Sequence, residues 1–598
     1  MKAFLKYYVF WILFFLVQKP LFMLINLPLM GDLNWQDWLM VPYHAFPLDL
    51  SVASYVAALF GLIMTVYYLW PSRVLGRIAD VITGLLLLVG LMTFIGDLGV
   101  FPSWGFHLDK TIFIYLSSPR EVLACAEWWM WLLGLVALVL AWFGSFALYR
   151  RVMKGWETMP VPASWTKRAL CSFGMLLVTG LLFLPIRGSV TTSTMNTGRV
   201  YFSDKQALNV AAINPLFNIV ESLGENTFNT DKYTSMPSDE AAALVNELLP
   251  AGHKDTCESV LTTTRPDIVF FILESFCSNA WEAMPNLQRL AQEGVWFTNA
   301  YASSYRTDRG VVAVLSAFPG QPTSSLMTVP YKSQHLPQLG KSLEAQGYQL
   351  KFWYGGDEDF TNMRSYLING GFTQRVCDRS FPMSERLSKW GVHDHLLFDR
   401  AAQEISARNT EAPTLDVILS LSSHEPFEVP ATPRYDNPYL NSVVYTDSCI
   451  GAFVEALRLS PKWDNTLLVF VADHGFPYPS SLPNYDPRRY AIPVVWAGGA
   501  VKAPHAVPTL CSQIDLVPTL LAQMGISHSE YTLAKNALDT TQVPFAFYSF
   551  NDGFGLMTET DTVVVDAKSN HLLIGQPSHT ERQARAFVQR VMEIIDSL

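Results

Sequence analysis

A hydroxyl set between two guanidinium groups is the first feature with chemical meaning: Arg306-Thr307-Asp308-Arg309-Gly310. A threonine hydroxyl is nearly inert at neutral pH and attacks only when a base or a metal ion activates it. Two other stretches supply the means. Phe270-Phe271-Ile272-Leu273 runs into Glu274, and Val469-Phe470-Val471-Ala472 runs into Asp473-His474-Gly475. Carboxylate oxygens, a neutral imidazole nitrogen and a threonine oxygen form a mixed donor set that suits a divalent ion such as Mn2+ or Zn2+. Such an ion makes a bound hydroxyl easier to deprotonate and polarises a phosphoryl or sulfuryl oxygen. Arg306 and Arg309 add planar, forked donors for a tetrahedral oxyanion. Each residue alone has an ordinary reading: a loop threonine, a capping glutamate, an Asp-His-Gly turn. The chemistry rests on their appearing together.

Those groups need a scaffold that brings distant segments to one place. From Arg265 onward, strand-like apolar runs (Ile268 to Leu273, Tyr348 to Trp353, Leu415 to Leu421, Thr466 to Val471, Ile492 to Trp496) alternate with helical stretches (Met284 to Gln292, Val311 to Ala317, Gln338 to Gln346, Asn441 to Leu457). This alternation predicts a layered α/β domain with a largely parallel sheet, and such sheets bind ligands at the carboxyl ends of their strands. Glu274, Asp473-His474 and His424 each follow an apolar run, so all are expected at one rim of the sheet. Thr307 precedes the helical stretch at Val311, which predicts a helix amino terminus near the reacting anion.

The chain before that domain has a different composition. Of the 598 residues 16% are charged, against roughly 25% in soluble domains, and the deficit lies before about residue 190. Segments near Tyr7 to Leu29, Leu50 to Leu69, Val74 to Val100, Glu127 to Leu148 and Leu170 to Pro185 each approach the roughly 20 apolar residues that cross a bilayer. Five transmembrane helices are expected over 1–187, the first retained as an anchor. Lys2, Lys6, Arg73, Arg77, Arg150, Arg151, Lys154, Lys167 and Arg168 fall on one side, whereas Gly31 to Asp49 holds acids and no Lys or Arg. By the positive-inside rule the amino terminus is cytoplasmic and everything after about Arg187 lies outside, with the loop from Phe101 to Ala126 (Asp109, Lys110, Arg120, Glu121).

Residues 188–263 read as a juxtamembrane connector. Its amphipathic stretch Leu208 to Leu223 is interrupted by Pro215, and is expected in the lipid interface or against the outer domain. The domain proper is expected over 264–598. A net charge of −10 argues against nucleic acid as a partner, since binding it takes an excess of Lys and Arg. The seven cysteines include no CxxC pair, which removes zinc-ribbon and thioredoxin readings.

With these motifs the chain resembles the lipoteichoic acid synthase and phosphoglycerol transferase group of the alkaline phosphatase and sulfatase superfamily. The resemblance is carried by Phe271-Ile272-Leu273-Glu274-Ser275, Arg306-Thr307-Asp308-Arg309-Gly310 with Leu315-Ser316-Ala317-Phe318-Pro319, Ser422-Ser423-His424-Glu425-Pro426-Phe427 and Ala472-Asp473-His474-Gly475. Gln513-Ile514-Asp515-Leu516-Val517-Pro518-Thr519-Leu520-Leu521 is similar to the superfamily's closing helix, a structural element. The resemblance implies an α-helical transmembrane domain of five helices followed by an extracytoplasmic α/β sulfatase-like domain. It implies Glu274, Thr307, Asp473 and His474 as metal ligands, Thr307 as nucleophile and His424 as a substrate-phosphate contact. It favours manganese, with zinc or magnesium as alternatives. One motif departs: where lipoteichoic acid synthases have Phe-Trp-Asn-Arg for glycerol phosphate, this chain has Phe360-Thr361-Asn362-Met363, with Arg364 one position on.

The expected reaction is transfer of glycerophosphate from phosphatidylglycerol, through an ester on Thr307, to a glycan, glycolipid or polymer acceptor at the bacterial cytoplasmic membrane. Arg306, Arg309, Arg364 and His424 are the expected substrate contacts. A phosphoethanolamine transferase or phosphoester hydrolase are the alternatives within enzymes. A non-catalytic membrane lipid sensor is the alternative outside them. His393 and His395 suggest a second metal pair, although family members carry a similar Trp-Gly-x-x-Asp turn without that role.

Overall fold

The computed structural model describes residues 1–598 apart from 106, 111, 114–126, 189–194, 196, 201, 204, 225–227, 251, 254, 257–258, 359 and 480–481, and the side chains of 103, 198, 206, 330 and 331. Arg120, Glu121, Cys125 and Cys257 therefore lie outside the described residues. The remaining five cysteines, Cys171, Cys277, Cys377, Cys449 and Cys511, are free thiols. The chain separates into two compact units, one holding the described residues up to Gly224 and the other those from Phe228 on.

Among the described residues the first unit has five helices long and apolar enough to cross a membrane: Lys2–Ile25, Asp37–Leu69, Arg73–Pro102, Trp128–Thr158 and Trp165–Arg187. The second starts earlier than expected. Residues 37–49, predicted as an acidic loop, extend the helix amino-terminally, with the Asn34 side chain accepting from the backbone N–H groups of Gln36 and Asp37 at 2.9 and 3.0 Å. The extension also lets Asn34 O accept from Asp37 N, at 3.2 Å. It also brings Asp49 inside the bundle, where its Oδ1 lies 3.3 Å from Lys19 Nζ, both side chains at most 2% exposed.

The amphipathic stretch divides at Pro215 into helices Gln206–Ala212 and Pro215–Gly224. Its apolar face packs among Phe22, Met23, Val41 and Leu48 of the membrane-type helices. Polar groups fix it there. Lys19 Nζ donates to Ile213 O at 2.9 Å, Asn214 Nδ2 to Asp49 Oδ1 at 2.7 Å, and His107 Nε2 lies 2.7 Å from Val210 O while its Nδ1 meets Asp97 at 2.7 Å. Residues 188–263 are thus shared between the units, because helix Ser238–Leu248 packs on the carboxyl-terminal helix His579–Ser597 of the second.

In the second unit the strands are β1 Asp267–Leu273, β2 Val295–Phe297, β3 Ala300–Tyr301, β4 Gln349–Tyr354, β5 Gln374–Val376, β6 Thr414–Leu419, β7 Thr466–Ala472, β8 Val494–Ala497, β9 His505–Val507 and β10 Cys511–Ser512. Four further strands follow, β11 Phe545–Phe550, β12 Gly553–Thr558, β13 Thr562–Asp566 and β14 His571–Ile574. Eight of them form one sheet in the order β5-β4-β6-β1-β7-β8-β2-β9. The pairings of β1 with β6 and β7, and of β4 with β5 and β6, are parallel. β8 runs antiparallel to both β7 and β2, so the sheet is mixed at the side away from β6.

Every residue of β1, β6 and β7 is buried. That is why these segments read as continuous apolar runs rather than alternating ones. Phe271 of β1 stacks on Phe470 of β7 with ring centroids 4.9 Å apart and meets Phe453 edge-on. The four-stranded antiparallel sheet β11-β12-β13-β14 and the helix packed on it were not foreseen from the sequence. Its edge reaches the central layer where Ser549 N donates to Ser303 O at 2.9 Å.

Candidate active site

Parallel pairing of β6, β1 and β7 puts their carboxyl ends side by side, and the next residues are Ser420, Glu274 and Asp473. Backbone bonds extend the alignment past the strands: Ser420 N donates to Ile272 O at 3.0 Å and Asp473 N to Leu273 O at 3.1 Å. Glu274 N donates to Ser420 Oγ at 2.8 Å, and Ser275 N donates to Asp473 Oδ1 at 2.8 Å. Two carboxylates from segments nearly 200 residues apart are thereby fixed by the sheet's own ladder.

The nucleophile candidate comes from the opposite direction. Helix Thr307–Ser316 begins at Thr307 itself, with extended Arg306 before it, four residues earlier than the sequence suggested. Its first turn leaves backbone N–H groups unpaired within the helix, which favours an anion there. Gly310 allows the approach, since a Cβ at that position would stand 2.1 Å from Asp473 O. The Thr307 hydroxyl consequently donates to Glu274 Oε2 at 3.0 Å, and Ser275 Oγ donates to the other oxygen, Oε1, at 2.7 Å.

His474 completes the group. Its Nε2 lies 3.5 Å from both Glu274 Oε1 and Asp473 Oδ2. Its Nδ1 lies 3.0 Å from Gly475 O; a carbonyl only accepts, so Nδ1 carries the proton and Nε2 faces the carboxylates. An outer hydrogen bond of this kind sets the tautomer of metal-binding histidines. Ligand atoms of Glu274, Asp473 and His474 lie within 4.8 Å of one another, and all three residues are buried.

Without a cation this arrangement is electrostatically frustrated. Burial and the Glu274 charge push Asp473 up to about 8. Burial opposes ionisation of Glu274 as well, but hydrogen bonding and charge from His474, with the charge of His424, hold it well below the usual carboxylate range. Burial disfavours the charged form of His474, yet the two carboxylates raise it to about 9. Asp473 Oδ2 is buried with no hydrogen-bond partner. Two converging carboxylates, an imidazole nitrogen and an orphaned acceptor fit a divalent cation, which would replace the protons that the group otherwise holds.

The expected substrate contacts divide. Arg309, in the first turn of the helix that begins at Thr307, is 6% exposed, lies 5.1 Å from the Tyr305 ring, and keeps Nε and Nη1 without hydrogen-bond partners, a buried donor pair. Arg306 lies over the same ring at 5.6 Å. His424 is near enough for its charge to act on Glu274. Arg364, in contrast, is tied to Glu358 at 3.3 Å, whose second oxygen accepts from Arg375 Nε at 2.7 Å. His393 and His395 do not converge as a metal pair: their rings are 6.3 Å apart and His395 Nδ1 meets Tyr445 OH at 2.5 Å.

Two residues escaped the sequence reading. Gln513, in the motif taken as purely structural, donates through Nε2 to the carbonyls of Ala472 and Asp473 at 3.1 and 2.9 Å, while its Oε1 accepts from Ser303 N at 2.6 Å. It clasps the end of β7 to the segment leading into Thr307. Arg489 is 6% exposed and sits in the field of Tyr305, Glu425 and Arg306, burial holding its guanidinium below the usual value. Its carbonyl packs so tightly on Gly475 that a Cβ there would be 2.0 Å away. The only hint was the Arg488-Arg489 pair shortly after Asp473-His474.

Residues 266–526 match the family model described as Sulfatase. The second unit is therefore sulfatase-like over that stretch. Among curated proteins, this chain is 29% identical over 218 residues to phosphoglycerol transferase I of Xanthomonas campestris pv. campestris (strain B100), covering 32% of this chain and 30% of that protein. It is 21% identical over 318 residues to lipoteichoic acid synthase-like YvgJ of Bacillus subtilis (strain 168), covering 47% and 51%. The matches therefore span less than two thirds of either relative. Among solved structures, an alkaline phosphatase superfamily protein from Vibrio parahaemolyticus aligns with TM-score 0.54 at 23% identity, over 62% of this chain and 98% of that one. The lipoteichoic acid synthase LtaP from Listeria monocytogenes aligns with TM-score 0.50 at 15% identity, over 60% and 98%. At those identities the two structures speak for the fold alone.

Proposed function

We propose that this protein is a membrane-anchored, divalent-metal-dependent phosphotransferase that moves glycerophosphate from phosphatidylglycerol to the hydroxyl of a glycan, glycolipid or polymer. The observation that carries the reading is the 3.0 Å bond from Thr307 Oγ1 to Glu274 Oε2, at a helix amino terminus and beside the buried Asp473 and His474. Relatives named phosphoglycerol transferase I and lipoteichoic acid synthase-like support the class.

A divalent ion held by Glu274, Asp473, His474 and Thr307 supplies Lewis-acid chemistry, easing deprotonation of the hydroxyl and screening phosphate charge; manganese suits the oxygen-rich set, as do zinc and magnesium. The chain's own groups do the rest. Thr307 releases its hydroxyl proton as Oγ attacks the lipid phosphorus, the bond from phosphorus to the diacylglycerol oxygen breaks, and that oxygen takes up one proton, so none is gained or lost overall. A glycerophosphate ester is left on Thr307. An acceptor hydroxyl then attacks the same phosphorus and restores the threonine. Arg306 and Arg309 balance the oxyanion, and the helix amino terminus adds its partial positive charge. The imidazole of His424 contacts the phosphate or the leaving oxygen. Arg364 reaches the head group only by giving up its ion pair with Glu358.

The membrane helices, with the amino terminus in the bacterial cytoplasm and the sulfatase domain outside, confine the enzyme to the leaflet that holds its lipid. The decisive experiment incubates the metal-loaded full-length protein with labelled phosphatidylglycerol or phosphatidylethanolamine and follows diacylglycerol release. Release from the first lipid alone, lost by about 10³-fold or more in Thr307→Ala, is expected. Release from phosphatidylethanolamine instead would make the head group ethanolamine phosphate. Undiminished turnover in the variant would exclude the threonine mechanism.

A further inference from the structure

The turn Trp390-Gly391-Val392-His393-Asp394 holds both ends of the loop that carries His424. At one end Asp394, fully buried, accepts from Leu421 N at 2.8 Å and from Ser422 N at 3.1 Å. At the other, Trp390 Nε1 donates to Glu425 O at 2.7 Å. His424 Nδ1 lies 2.9 Å from that same carbonyl. Since a carbonyl only accepts, both the indole and the imidazole are donors to it. The two rings lie against each other, centroids 4.1 Å apart, and Phe360 meets Trp390 edge-on at 6.1 Å.

The turn itself is anchored. Val392 N donates to Gly355 O at 2.9 Å, and Gly391 has φ +147°, where a Cβ would come within 2.1 Å of that same oxygen. Trp390 is therefore not a surface aromatic that happens to touch a histidine; its position is set by the loop after β4.

Resting on the phosphotransferase reading, we infer that Trp390 is a positioning residue for His424: by sharing the Glu425 carbonyl and packing on the imidazole, it fixes the ring plane and commits Nδ1 as a donor, leaving Nε2 as the only ring atom available to substrate. In the forward step the imidazolium form acts: the phosphorus–oxygen bond to the diacylglycerol breaks, the departing oxygen takes the proton from Nε2, and the ring is left neutral with its proton on Nδ1, still donated to the carbonyl; the acceptor hydroxyl returns a proton to Nε2 when it attacks the threonine ester. General acid assistance matters for a poor alkoxide leaving group and little for an acidic phenol. A residue that acts through His424 must show the same dependence, whereas general loosening of the site slows both substrates alike.

The test uses the metal-loaded full-length protein and two diesters with the same glycerophosphate group, one leaving as diacylglycerol from phosphatidylglycerol and one as p-nitrophenol. Trp390→Phe keeps an aromatic ring against the imidazole and removes the donor. It is expected to lower kcat about tenfold on the lipid and less than about twofold on the aryl ester, with KM unchanged. His424→Ala should show the same pattern with a larger loss, and adding Trp390→Phe to it should cost nothing further. The cycle stays informative if the single variant is less stable, because it compares two substrates on one preparation. Equal slowing of both diesters, or additive losses in the double variant, would overturn the inference alone. Failure of the unaltered protein to cleave either diester would overturn the proposed function, and the inference with it.

Discussion

A Cβ on Gly310 would stand 2.1 Å from the carbonyl oxygen of Asp473. The helix Thr307–Ser316 thus rests backbone to backbone on the end of β7, and the clash partner is main chain that has no rotamer to change. Gly310→Ala must push the two apart. The expected result is a 10- to 100-fold loss of Mn2+ affinity, the range seen when groups that orient ligands are removed. Stability should fall by about 1–3 kcal/mol as for other overpacked sites. Isothermal titration of metal and denaturant unfolding of the same preparation check both; unchanged affinity would show that the helix is free to shift.

Metal binding should be visible without turnover. A ligand that binds only the folded state adds about 2.7 kcal/mol at 100 times its dissociation constant, so saturating Mn2+ should raise the melting temperature of the full-length protein and a chelator should lower it. Asp473→Asn removes a ligand charge and fills the orphaned Oδ2 position with an amide donor. Its melting temperature should no longer respond to metal. A response as large as the wild type's would place the ion elsewhere.

His393 gives the second unit an acid sensitivity that does not involve Glu274, Asp473 or His474. Burial, then the neighbouring His395, push it from the usual 6.5 down to about 4, and its Nδ1 is buried without a partner. Between those values the unfolded chain binds a proton that the folded chain refuses, so the unfolded state is favoured as pH falls. The stability is fully present above about 6.5 and is lost on the way down to about 4. Denaturant midpoints at pH 7.5 and 5 should fall more in the wild type than in His393→Gln. Equal losses would exclude His393 as the source.

Lys19 and Asp49 test the membrane unit. Removing one partner of a buried pair leaves an uncompensated charge and typically costs about 3–5 kcal/mol, whereas replacing both with apolar groups of similar size is nearly neutral. Lys19→Met should lower the thermal stability of the detergent-solubilised protein and expose the 206–224 helices to protease. Adding Asp49→Leu should recover most of the loss. A double variant no better than the single one would show that the hydrogen bonds to Ile213 and Asn214, rather than the charges, hold those helices.

Much of the site was legible because sequence order encodes it locally. An apolar run with no alternation reports a strand buried on both faces, and a polar residue at its end is placed at the rim by the strand itself. Glu274, Asp473 and His424 were readable for that reason, and Thr307 because two arginines and a glycine surround it. The helices were legible from length and apolarity, although Asp49 masqueraded as part of a loop: its burial depends on Lys19, far away in sequence.

What the sequence determined by itself was therefore the set of chemical groups, the α/β alternation and the five apolar helices, all of which follow from composition over short windows. The tertiary structure decided the relations between groups. It placed Thr307 Oγ1 on Glu274 rather than merely near it, gave Gln513 a role in clasping the metal strand, and tied Arg364 to Glu358. It also set Trp390 and His424 on one carbonyl and turned residues 206–224 onto the helical bundle. Each of these depends on contacts between segments tens to hundreds of residues apart, whose cost in chain entropy is met only by the packed whole, and local pattern carries no record of them.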